Sequence, residues 1–168
     1  PEVAANLLGQ AAPILDAIHA KLLGRGTADA RAYAAVIAAA LATSPAVLLC
    51  DEPTTALDVT VQDQILTLLK SLQDTLGMAL VFVSHDLAVV SQVCDRIAVM
   101  YAGRIVETGT TASVLTAPRH PYTAALIASV PSLVKVGQPL AGIGGTPPDP
   151  RDFPAGCRFA PRCSHAVE

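Results

Sequence analysis

The stretch AVLLCDEPTTALD, Ala46–Asp58, decides how this chain is read. It opens as an unbroken apolar run and stops at two carboxylates, Asp51 and Glu52. A proline, two threonines and a further acid, Asp58, follow. A surface loop spreads its charges, whereas these acids gather where an apolar strand stops. Ala46–Cys50 is short and bounded by a turn signal and by charges, which predicts a strand buried on both faces, as in a parallel sheet. Asp51 and Glu52 then either begin a solvated loop or form a site at the strand end. Asp58 has a structural reading too, as the cap of the helix that follows.

The pattern repeats downstream. Val61, Ile65, Leu68, Leu69, Leu72 and Leu76 recur at helical spacing, and Gly77 is a natural C-terminal stop. MALVFVSHD, residues 78–86, is a second apolar strand ending in polar residues, among them His85. Leu87, Val90 and Cys94 mark one face of a short helix. RIAVMYAGRIVETG, residues 96–109, reads as two strands joined near Ala102-Gly103, where glycine tolerates positive φ. Strand–helix–strand–helix order predicts an α/β fold with a parallel sheet and flanking helices. Ligands of such sheets gather at the carboxyl ends of strands, and Asp51, Glu52 and His85 all fall at that edge. The bland alternative for His85 is a turn or helix-capping residue.

Upstream, residues 1–43 are alanine-rich and read as a helical segment. Leu7, Leu8, Ile14, Leu15, Ile18 and Leu22 form a rough stripe, broken at Gly24, Gly26 and Thr27. A second helix runs from about Ala30 to Thr43, closed by Ser44-Pro45. Downstream, one or two helices cover 110–130. From Pro131 the chain is rich in proline and glycine, a loop-rich extension with no core of its own.

Composition bounds the classes. The chain has 168 residues, 52% of them hydrophobic and 15% charged, enough for one domain with a buried core. A net charge of −3 gives no nucleic-acid footprint. No apolar run reaches the ~20 residues of a transmembrane span. The first residues lack the basic start, apolar block and cleavage site of a secretory leader. Cys50, Cys94, Cys157 and Cys163 are scattered rather than arranged as a disulfide framework, which points to a reducing compartment.

These residues resemble the ATP-binding subunits of ABC transporters, a branch of the P-loop NTPases. LLCDEP resembles the Walker B strand, TALD (55–58) the D-loop, VSHDL (83–87) the switch-histidine segment, and ALATSP (40–45) the lead-in to Walker B. The resemblance implies ATP and Mg²⁺ as cofactors. It implies that Asp51 holds Mg²⁺, directly or through water, and that Glu52 orients and deprotonates the attacking water. It implies that His85 contacts the γ-phosphate and that Asp58 faces a partner subunit. Hard cations take oxygen ligands and keep their waters, and phosphoryl transfer depends on positioning and electrostatics, so these residue types suit the chemistry.

RHPYTAALIASVP (119–131) and GCRFAPRCSHAVE (156–168) resemble segments near the end of oligopeptide, dipeptide and nickel importer ATPases. In that branch the resemblance implies Cys157 and Cys163 as ligands of a 4Fe-4S cluster in a longer form; the alternative is two unliganded thiols in a loop. A metal-binding module built on Cys157, Cys163 and His165 is a third reading. The implied organisation is a helical segment at 1–43 that matches the family poorly, the C-terminal half of a nucleotide-binding domain at 44–118, and the importer-type extension at 119–168.

The resemblance fails upstream. No G-x-x-x-x-G-K-[ST] occurs, so the phosphate cradle of Walker A is missing, and TADAR (27–31) stands where the LSGGQ signature is expected. The expectation is therefore the C-terminal part of an importer ATPase, which alone does not hydrolyse ATP, or else a non-catalytic relic or accessory subunit. The implied partners are transmembrane permease subunits and a second ATP-binding subunit. The implied location is the cytoplasmic face of the membrane.

Overall fold

The computed structural model describes residues 28–55, 57–131 and 142–166. The predicted stripe from Leu7 to Leu22 lies outside the described residues. The chain divides into two compact units, residues 1–85 and 86–168.

In the first unit, α1 (Ala28–Leu41) leads through a turn to β1 (Val47–Asp51). The long helix α2 (Val59–Leu76) and β2 (Ala79–Val83) follow. β1 and β2 pair in parallel, with Val47 opposite Ala79 and Asp51 opposite Val83. The helical stripe read from sequence is the buried one. Val61, Ile65, Leu68, Leu69 and Leu72 pack with Ile37, Leu41, Leu48, Cys50 and Met78, and Leu76 lies partly buried beside them. A fully buried leucine contributes about 1.5–3 kcal/mol relative to an exposed one, so this seam dominates the unit's stability. α2 ends where the sequence predicts: Gly77 has φ 64, and its N–H donates to the Gln73 carbonyl.

One expectation fails. β1 is not buried on both faces but alternates exposed and buried, and only Leu48 and Cys50 face the core. Val47 and Leu49 remain 53% and 67% exposed, and Val81 and Val83 on β2 remain 47% and 46% exposed. An apolar run states that a strand can be covered on two sides. It does not supply the second layer, and among the described residues of this unit the packed layer is α1 and α2.

The second unit begins with α3 (Leu87–Val93), capped by the Asp86 side chain, which accepts from the Ala88 and Val89 N–H groups. β3 (Arg96–Tyr101) and β4 (Arg104–Thr110) form an antiparallel hairpin with an irregularity at Val99/Met100. Both turn residues have positive φ, 47° at Ala102 and 78° at Gly103. That pairing matches the right-handed twist of the strands, and it is why a glycine is needed there. Two short helices follow, α4 (Thr111–Thr116) and α5 (Pro121–Ala128).

The proline- and glycine-rich tail shares in this unit's core. Phe159 is 3% exposed and packs on Tyr101 and Tyr122, with ring centroids 5.2 and 5.4 Å away. Arg162 donates to the Gly144 and Ile143 carbonyls and to the Tyr101 hydroxyl. Arg158 donates to the Ala102 carbonyl and lies over the Phe153 ring. The tail thus has no separate core but contributes to the one formed with the hairpin. One aromatic and two arginines recruit a hairpin that composition does not reveal. Among the described residues, no helix is long and apolar enough to cross a membrane.

Candidate active site

The parallel register builds the site. Because Asp51 lies opposite Val83, the residues that follow each strand emerge at one edge. The Glu52 N–H donates to the Val83 carbonyl at 2.9 Å, extending the ladder by one step. Glu52 then turns the chain with φ 44. This is the left-handed region, which a non-glycine residue enters only where its surroundings hold it. Asp51 ends β1 on the strand's exposed face, with Val47 and Leu49.

The structure brings Glu52 and His85 together. His85 Nδ1 lies 2.9 Å from Glu52 Oε1, and the Thr55 hydroxyl donates to Glu52 Oε2 at 2.7 Å. The His85 hydrogen bond, then that from Thr55, hold the Glu52 carboxyl below the usual range for glutamate. An ionised carboxylate at a sheet edge, steadied on both oxygens, can accept a proton from a water or orient one. Thr55 enters the sequence reading only as the first residue of the TALD segment, with no role at Glu52. Its signal is its spacing, three positions after Glu52 across a proline turn.

Asp58 stands apart from this pair in role. Its side chain accepts from the Val61 N–H at 2.9 Å and so caps α2, as its structural reading predicts.

Mg²⁺ is commonly held by one or two carboxylates together with waters and substrate phosphates. The exposed carboxylate of Asp51 at the strand end fits that mode. An iron–sulfur cluster does not fit the described residues. Cys157 and Cys163 are both free thiols, and no group of three or more His, Cys, Asp or Glu side chains gathers to hold a metal among the described residues. The third reading, a module built on Cys157, Cys163 and His165, is not supported for the same reason. Cys157 instead meets an imidazole, its Sγ lying 3.8 Å from His120 Nε2. The other ring nitrogen of His120 accepts from the Tyr122 N–H at 3.1 Å and caps α5.

Residues 106–168 match the family described as Oligopeptide/dipeptide transporter, C-terminal region. Most of the chain is similar to ATP-binding proteins of ABC transporters. The oligopeptide transport ATP-binding protein OppD of Bacillus subtilis is 54% identical over 134 residues, 79% of this chain and 37% of that protein. The dipeptide transport ATP-binding protein DppD of the same organism is 52% identical over 132 residues, 79% of this chain and 39% of that protein. A putative peptide import ATP-binding protein of Brucella ovis is 51% identical over 140 residues, 80% and 41% of the two chains. The chain thus spans about two fifths of the length of these curated relatives. A solved ATP-binding cassette of an ABC transporter, in its ADP conformation, superposes with a TM-score of 0.58 at 20% identity, over 72% of this chain and 49% of that one. Over the matched part, the α/β fold is that of this ATP-binding cassette.

Proposed function

We propose that this sequence is part of an ATP-hydrolysing subunit of an ABC importer that energises peptide uptake. The observation that carries the reading is the Glu52–His85 pair, formed across adjacent ends of two parallel strands. The similarity to peptide-import ATP-binding proteins supports it. In this reading Glu52 is the general base that orients and deprotonates the attacking water. His85 holds Glu52 in place before substrate arrives and contacts the γ-phosphate during transfer. Asp51 holds Mg²⁺, directly or through its waters. When bound, the ion neutralises charge developing on the phosphoryl oxygens. Asp58 faces a second ATP-binding subunit while capping α2. The partners are permease subunits, at the cytoplasmic face of the membrane. Peptide is the favoured solute and nickel the alternative within the same transporter branch.

Two thiols do not complete a four-ligand cluster, so a 4Fe-4S centre on Cys157 and Cys163 belongs only to a longer form with further ligands. The 168 residues contain no G-x-x-x-x-G-K-[ST], which favours weak nucleotide binding and no turnover for this stretch alone.

The test is Glu52→Gln in the natural gene product. Phosphate release stops while ATP binding persists. Turnover at the parent rate removes Glu52 from the role of base, whereas a natural gene product that itself shows no turnover leaves the non-catalytic accessory reading in its place.

A further inference from the structure

The turn after β1 holds Glu52 more firmly than a solvated acid requires. Its backbone sits at φ 44, and both backbone groups are occupied. The N–H donates to the Val83 carbonyl at 2.9 Å, and the carbonyl accepts from the Thr55 N–H at 3.1 Å. Thr55 then returns with its side chain, donating Oγ1–H to Glu52 Oε2 at 2.7 Å. One residue thus grips the glutamate twice, by backbone and by hydroxyl. Oε1 is left toward His85 Nδ1 at 2.9 Å.

This turn is anchored from below. Thr54 is buried, with 7% of its surface exposed, while Thr55 is exposed beside it. A β-branched residue has few χ1 choices, so the Thr55 methyl and hydroxyl keep their places once the backbone is set. A carboxylate bonded on a single oxygen still swings about its terminal torsion, which is broad. A second bond, to the other oxygen, stops that motion.

We propose that Thr55 is a positioning residue for Glu52, its hydroxyl fixing the carboxylate plane so that the oxygen beside His85 faces the reacting water. The proposal rests on the reading of Glu52 as the base. Thr55 touches neither nucleotide nor water in this role and acts only through Glu52.

Three variants test it, with two readouts. Thr55→Val keeps the shape and removes the donor, Thr55→Ser keeps the donor, and Glu52→Gln reports on the base itself. In the natural gene product, Thr55→Val lowers kcat about 10- to 100-fold with the KM for ATP within about twofold, the scale expected when a catalytic group is misplaced. Thr55→Ser recovers most of that loss. Crystal structures of the natural gene product and its variants show the Glu52 carboxylate plane unchanged in Thr55→Ser, and rotated or in two conformers in Thr55→Val. Far-UV circular dichroism confirms that each variant folds, with Thr55→Ala as substitute should the valine form not fold. An unchanged carboxylate plane in Thr55→Val overturns the proposal, as does an unchanged kcat. The base reading fails separately, by turnover in Glu52→Gln. In that event the observed carboxylate plane alone decides whether Thr55 fixes it, and the catalytic half of the proposal falls.

Discussion

Glu52 Oε1 and His85 Nδ1 meet at 2.9 Å although 33 positions separate them in the chain. The pair exists because β1 and β2 run parallel and in register, so that two strand ends become one edge. The contact also explains the acidity of the glutamate. A donor from His85 stabilises the carboxylate first and one from Thr55 second, and the carboxyl is held below its ordinary value.

Removing His85 therefore has two expected effects. In the 168-residue chain, His85→Ala moves the Glu52 carboxyl titration upward, toward 4.5, as followed by carbon-13 NMR. In the natural gene product, the same change stops ATP turnover. A Glu52 titration that stays in place contradicts the pairing, and retained turnover contradicts the role of His85 in transfer.

Asp58 supplies a stability prediction that does not depend on any partner subunit. Its carboxylate satisfies the Val61 N–H at the start of α2. Asp58→Ala is expected to cost about 1 kcal/mol, within a usual span of about 0.5–2, and Asp58→Asn to recover most of it. Urea unfolding of the three proteins, with unchanged m-values, measures this.

Glu107 makes the second unit sensitive to acid. Burial raises its pKa. The Thr123 hydroxyl and the Arg119 and His120 N–H groups act the other way and prevail, holding it below its ordinary value of 4.5. The two N–H groups donate at 2.8 and 3.0 Å. The Thr123 hydroxyl is fully buried and has no partner of ordinary hydrogen-bond geometry, so the two amides are the firmer part of this clamp. A folded-state pKa below the unfolded one gives stability that is present above the unfolded value and lost as pH falls through the folded one. Near-ultraviolet circular dichroism of Tyr101 and Tyr122 is expected to hold above pH 4.5 and to decline below it. Glu107→Gln flattens that dependence.

The cysteines divide by environment. Burial pushes the Cys50 thiol up to about 11, and burial together with the charge of Asp95 raises Cys94. Cys157 is exposed. Because the thiolate is the reactive form, iodoacetamide at neutral pH is expected to label Cys157 first and to spare Cys50 until denaturant is added. Peptide mapping by mass spectrometry reads the order. Early labelling of Cys50 would mean that the first unit opens far more readily than its packing implies.

Some of this molecule is legible in one dimension. The stripe from Val61 to Leu72, its stop at Gly77, the turn at Ala102-Gly103 and the placing of Asp51, Glu52 and His85 at strand ends all follow from local periodicity and turn chemistry. Those signals are short-range, because a helix or a tight turn is settled by residues a few positions apart. What lies far apart in sequence was decided by tertiary structure alone. Leu49 and Val81 are as apolar as Leu48, yet they stay exposed, because burial depends on which layer is present and not on the strand's own composition. Phe159 joins a core from within a proline-rich tail, because Tyr101 and Tyr122 offer it a surface that no local pattern announces. The grip of His85 and Thr55 on Glu52 belongs to the same class. The residue types were visible in sequence, but only the parallel register and one left-handed turn bring their polar atoms within hydrogen-bonding reach.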